Sequence, residues 1–157
     1  MKNKFFFTSV FIIMLSQFLT AQENKVTNAL KEFNNDTAQY IEQRIVNYKN
    51  LYIGKPLDSL LKDLPKIMNY ANGDMPRNRF LCPATVLYFS SYKRTLEKID
   101  QKKFPMVLTI TWATPLDNNE LSSLGLNIGG GKWTETAYNF FKNKIIGKIE
   151  AIEYSFQ

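Results

Sequence analysis

From Met106 to Trp112 the chain alternates strictly between apolar and semi-polar side chains, a period of two that suits a half-buried β-strand. Met106, Leu108, Ile110 and Trp112 fall on one side, and Val107, Thr109 and Thr111 on a wetter one. Thr85 to Phe89 is dense in strand formers, and Lys66 to Tyr70 is a weaker run. Near the end, Ile152, Tyr154 and Phe156 alternate with Glu153 and Ser155. Asn72-Gly73-Asp74 reads as a turn, and Pro115 as the end of the central strand.

Helical periods bracket these strands. Val26, Ala29, Leu30, Phe33, Tyr40, Ile41, Arg44, Ile45 and Tyr48 recur at spacings of three and four, which predicts a helix from Glu23 to Lys49. Asn34-Asn35-Asp36, poor helix formers, predict a break within it. In Tyr52-Ile53-Gly54-Lys55-Pro56-Leu57, Gly54 permits a turn and Pro56 suits the first position of a second helix. Leu57, Leu60, Leu61 and Leu64 form its apolar stripe, and Pro65 stops it. Asp117 to Leu124 predicts a helical turn. Thr134 is the expected N-cap of a last helix, with Trp133, Ala137, Phe140, Phe141 and Ile145 on one face and Gly147 as its C-cap. The order α-α-β-β-β-(α)-α-β predicts an α+β domain: an antiparallel sheet of about four strands with helices packed on one face.

The N-terminal residues have a different character. Lys2 and Lys4 precede an apolar run from Phe5 to Leu19, then Thr20-Ala21 and the polar Gln22-Glu23-Asn24. This is the pattern of a secretory signal peptide cleaved after Ala21, and its apolar core is shorter than the ~20 residues a spanning helix needs. Residues 22–157 then make one α+β domain with no membrane span, periplasmic or secreted. The single cysteine, Cys82, lies far from the leader, so no lipid anchor is expected there. In an oxidising compartment it has no internal disulfide partner, and its apolar setting predicts a buried thiol.

Charge excludes one class of partner. The formal net charge is +6, and Lys2 and Lys4 belong to the leader, leaving 18 basic against 14 acidic groups. Lys102-Lys103 and Arg77/Arg79 are the densest basic clusters and make no stripe, so no nucleic-acid partner is expected.

Catalytic signals are sparse. The chain has no histidine, which removes Ser-His and Cys-His activation and the commonest metal ligand. No metal or cofactor is expected. Ser59-Leu60-Leu61-Lys62 matches S-x-x-K, but its partner motifs are absent, and a solvent-facing side of the leucine helix explains it. Gly129-Gly130-Gly131-Lys132 resembles part of a phosphate loop, yet Leu126 and Trp133 stand where that motif needs Gly and Ser or Thr. A mobile loop is the expectation there. The carboxylate pairs Asp58/Asp63, Glu97/Asp100 and Glu150/Glu153 lie beside lysines on expected exposed faces. Tyr88 and Tyr92, beside Ser90 and Ser91, form a Tyr/Ser face of the kind used for protein recognition. Lys55, held out by the Gly54 turn, is the third candidate binding residue.

Tyr52-Ile53-Gly54-Lys55-Pro56-Leu57 with Leu60-Leu61-Lys62-Asp63-Leu64 resembles an uncharacterised family of small exported bacterial proteins. Lys132-Trp133-Thr134-Glu135, Phe141-Lys142-Asn143 and Ile145-Ile146 resemble it too. More distantly, the helix-turn-helix around Gly54 followed by antiparallel strands is similar to the fold of β-lactamase inhibitor proteins and of a small outer-membrane-assembly lipoprotein. That resemblance implies a binding module without catalysis. The expectation is an exported, soluble, non-enzymatic protein-binding module of envelope-accessory, immunity or inhibitor type. The alternatives are a small hydrolase or transferase built on carboxylates or lysine, and a periplasmic small-ligand binder.

Overall fold

The computed structural model describes residues 25–73, 80–91, 93, 97, 100–101, 107–126 and 129–151. The expected signal peptide, Tyr92 and the alternating segment Ile152, Tyr154 and Phe156 lie outside the described residues. The chain divides into two compact units, Met1–Asp36 and Thr37–Gln157. In the first, residues 25–32 form helix α1. It stops where Asn34 and Asn35 take φ values of 53° and 60°. Two successive left-handed residues cannot continue a right-handed helix, and Asn is one of the few side chains that enters that region readily. The expected break is where the asparagines are.

The second unit opens with α2, Thr37–Tyr40, which passes into a π-helical segment, Ile41–Val46, and then a 3-10 turn, Lys49–Leu51. Ile41 and Ile45 are fully buried, as their spacing predicts. Arg44 and Tyr48, placed on the same face by a 3.6 period, are exposed instead, Tyr48 by 57%. The wider winding after Tyr40 carries later positions off the face that an unbroken α-helix would keep.

Five strands make one antiparallel sheet in the order β4-β1-β2-β3-β5. They are β1 Asn69–Gly73, β2 Leu81–Tyr88, β3 Val107–Asp117, β4 Gly131–Lys132 and β5 Ile146–Ala151. Helix α3 is Leu57–Leu61, α4 is Asn118–Ser123 and α5 is Glu135–Phe141. The α+β antiparallel architecture matches the sequence, with one strand more than expected. Asn72-Gly73 is not a turn but the end of β1, paired with Thr85 and Ala84. Asn72 tolerates this buried position because its Oδ1 accepts a 2.9 Å bond from Thr85 Oγ1, which itself accepts from Trp112 Nε1 at 3.1 Å. A polar chain thus crosses three strands and satisfies three buried groups.

Nor does Pro115 end β3. Cys82 pairs with Leu116 and Ala84 with Thr111, so the ladder is interrupted between them and then resumes. Pro83 and Pro115 both sit in that interruption, where a missing N–H costs no ladder bond. Gly147 is likewise no helix cap. It lies in β5, where register shifts between Thr111↔Lys148 and Trp112↔Ile146, and a Cβ there would meet Ala113 N at 3.0 Å. The absence of a side chain lets two backbones close at a bulge.

Helix α5 ends earlier, at Phe141, because the chain beyond it is claimed by another segment. Asp58 N–H donates to Lys142 O at 2.8 Å, Leu57 N–H to Lys144 O at 2.9 Å, Ile146 N–H to Lys55 O at 3.0 Å, and Gly54 N–H to Ile146 O at 2.8 Å. These bonds satisfy two orphan donors at the start of α3, whose N-cap Pro56 offers no side-chain acceptor. Pro56 is therefore the cap itself rather than the first helical residue. Gly54 adopts φ +79°, the left-handed turn the sequence predicts. Ile145, expected on the apolar face of α5, faces outward with 40% exposure because it lies in this extended stitch.

The apolar stripes otherwise behave as read. Leu57, Leu60, Leu64, Ala137, Phe140 and Phe141 are buried, and Thr134 caps α5 by accepting from Ala137 N at 3.3 Å. Cys82 is buried, its thiol donating to Ala84 O at 3.1 Å. Phe141 lies between both tryptophans of the chain: Trp112 stacks on it at 5.6 Å and Trp133 at 5.8 Å, while Tyr70 and Phe140 meet it edge-on.

Three substitutions report on these features. Phe141→Ala should destabilise the domain by about 3–5 kcal/mol in denaturant melts and red-shift tryptophan emission, since both indoles lose a stacked neighbour. Gly54→Val should cost about 1–3 kcal/mol through backbone strain alone, because no atom crowds a Cβ there. Lys55→Ala, at an exposed side chain, should stay within about 0.5 kcal/mol. A neutral Gly54→Val would refute the strain.

Candidate functional site

The triple glycine is not a loose loop. Gly131 and Lys132 form edge strand β4 against β1, with Lys132 opposite Asn69 and Gly131 opposite Tyr70. Gly130 has φ +99°, and a Cβ on it would lie 2.1 Å from Tyr70 O and 2.6 Å from Ala71 Cα. Glycine is required there both by backbone conformation and by close approach. A mobile loop is thus corrected to a packed edge, held by Trp133 N–H donating to Met68 O at 3.0 Å.

Cross-strand partners share a face of a sheet. Lys132 opposes Asn69, which opposes Tyr88, which opposes Val107. The face opposite the Tyr70, Leu87 and Leu108 core therefore carries a cation, a carboxamide and a phenol in one row. Val107 is fully buried and closes the row. Asn69 and Tyr88 are half-buried and Lys132 is exposed. Beside the row opens a groove of about 380 Å³ lined by Asn69, Tyr70, Ala71, Tyr88, Gly129, Gly130, Gly131 and Lys132. That volume lies at the small end of the range for ligand-binding concavities, about 300–1,000 Å³. Asn69 Nδ2 donates to Ser90 O at 3.2 Å, which fixes the carboxamide at the groove edge.

Tyr88 and the glycine-lysine run, two separate signals in the sequence, meet in this groove. Asn69 was not legible as a partner, because only the β1–β2 register brings it between them. Tyr92 lies outside the described residues, and Lys55 is exposed on the 54–58 turn and does not line the groove.

Several other candidates are occupied, and Glu153 lies outside the described residues. Ser59 Oγ donates to Pro56 O at 2.8 Å and Lys62 Nζ pairs with Asp58 Oδ2 at 2.7 Å, so the S-x-x-K pair is not assembled. The Lys62 ammonium holds the Asp58 carboxyl below the usual range, helped by Tyr138 OH donating to Oδ1 at 2.9 Å. Asp63 Oδ2 accepts from Tyr52 OH at 3.0 Å, and Asp63 O from Tyr40 OH at 2.7 Å. Glu150 pairs with Lys148 at 2.6 Å. A second concavity, about 460 Å³ between α4 and α5, contains Glu120 and Lys144, which pair with each other at 3.5 Å. Among the described residues no three His, Cys, Asp or Glu side chains gather as metal ligands, and no helix is long and apolar enough to cross a membrane.

No family model matches the chain, and neither a curated protein nor a solved structure is significantly similar to it.

The phenols give the domain an alkaline limit. Burial raises the Tyr40, Tyr52, Tyr70 and Tyr138 hydroxyls, most strongly Tyr52, where the Asp63 hydrogen bond adds to burial. Each stays protonated in the folded state after its unfolded counterpart ionises near pH 10. Their stabilisation is complete below about pH 10 and is lost as pH rises from there toward the folded values. Urea melts between about pH 9 and pH 11 should show falling stability, with a shallower slope for Tyr52→Phe. Parallel slopes for the two proteins would exclude Tyr52 as a contributor.

Proposed function

We propose that this chain is an exported, non-enzymatic protein-binding module whose contact surface is the sheet face around Tyr88 and the adjoining groove. The observation that carries this reading is the lining of the groove: main chain, phenol, carboxamide and one lysine, with no carboxylate among its described residues. A hydrolase or transferase based on paired acids needs two carboxylates converging on one space. Here Asp58, Asp63, Glu120 and Glu150 each bond a lysine or tyrosine at a separate place. Tyr88 at the rim supplies large contact area at small entropic cost, as tyrosines do in recognition surfaces. Export rests on the Lys2/Lys4, Phe5-to-Leu19 and Ala21-Gln22 pattern.

Capture from native envelope at near-native expression is the test. The full chain should retain a protein partner, and Tyr88→Ala should lose it while its melting temperature is unchanged. Recovery of no protein partner would overturn the assignment.

A further inference from the structure

Resting on that protein-binding reading, we infer that the groove takes a carboxylate carried by an extended peptide, with the acid on Lys132 and the peptide lying across Asn69 toward Tyr88. Two observations converge on this chemistry. Lys132 is exposed and pairs with no acid among the described residues, whereas Lys62, Lys93, Lys144 and Lys148 each have a carboxylate within 4.0 Å. The groove it borders has no acid among its described lining residues, so a bound anion would meet attraction without a competing internal partner. One lysine matches a single negative charge.

Geometry selects an extended peptide. Lys132, Asn69 and Tyr88 stand on three adjacent strands, a span of roughly 10 Å at the usual strand spacing. An extended chain covers that span in about three residues. The bond from Asn69 Nδ2 to Ser90 O leaves Asn69 Oδ1 to accept a peptide N–H midway. The wall is Gly129, Gly130 and Gly131, so a ligand main chain can approach without meeting side chains. At the far end Tyr88 offers an apolar surface for the residue preceding the acid.

The carboxylate could be a chain terminus or an acidic side chain, and peptide pools separate the two. Three dye-labelled tetrapeptide pools are titrated against the full domain by fluorescence anisotropy. The first has neutral side chains and a free C-terminal carboxylate, the second is amidated with one glutamate, and the third is amidated and neutral. The first or second should bind about tenfold more tightly than the third, as expected for a charge-assisted contact. That preference should shrink with added salt, disappear in Lys132→Glu and persist in Lys132→Arg.

Equal binding of all three pools, binding of none, or a preference retained in Lys132→Glu would overturn the inference. Displacement by inorganic phosphate at the concentrations at which acetate displaces would overturn it too, by assigning the site to anions in general. The two readings fail separately. A captured protein partner lost with Tyr88→Ala, together with indifferent pools, would sink the carboxylate and leave the binding module. A carboxylate-selective groove with no captured protein would do the reverse.

Discussion

The position of Phe141 between the two indoles governs much of the second unit. Trp112 comes from the interior strand β3 and Trp133 from the segment leaving edge strand β4, so one phenyl ring joins the interior of the sheet to its margin. The ring planes of Trp112 and Phe141 differ by only 7°, those of Trp133 and Phe141 by 14°. Stacked pairs of this kind add to the large apolar burial of the rings themselves. Phe141 is also the last residue of α5, so the stacked ring stands where residues 142–146 leave the helix to bond the Gly54–Asp58 turn. Trp133 also bears on the groove through its main chain, since its N–H anchors the strand that forms the wall.

Features with purely local causes were legible in the sequence. The Thr134 cap, the helical turn after Asp117, the leucine stripe and the left-handed Gly54 each depend on neighbours within a few residues. Those that went astray depend on chain segments distant in sequence. Gly147 has the look of a helix stop, but its role is set by Ala113 on the neighbouring strand. Pro115 has the look of a strand end, but Pro83 shares the same interruption of the ladder, which then resumes. The π-helical winding at Ile41–Val46 leaves no local signature among residues that would also suit an α-helix.

The candidate site divides the same way. Tyr88 was visible as a β-strand tyrosine next to serines, and the glycine run as an oddity without a complete motif. That they border one groove is a consequence of strand order, with β4 returning to pair outside β1 after two intervening strands. Asn69 acquires its place only from register, and no property of the residue itself marks it. Conversely, the exclusion of S-x-x-K chemistry anticipated from the sequence has a geometric counterpart, because Asp58 occupies the lysine and Pro56 O the serine.

The crowding at Gly130 has a further consequence for how such a surface can diversify. Only Gly130 in that wall must be glycine, so on the proposed reading discrimination is left to the few side chains beside it, Lys132, Asn69 and Tyr88. All three lie on the face away from the Phe141 stack, so exchanging them alters the groove without disturbing the aromatic core. On that reading, substitution at these positions would change what is recognised while the scaffold persists, and drift at Gly130 would be purged first. The molecule thus keeps its variable alphabet and its invariant frame on adjacent atoms of the same two strand pairs.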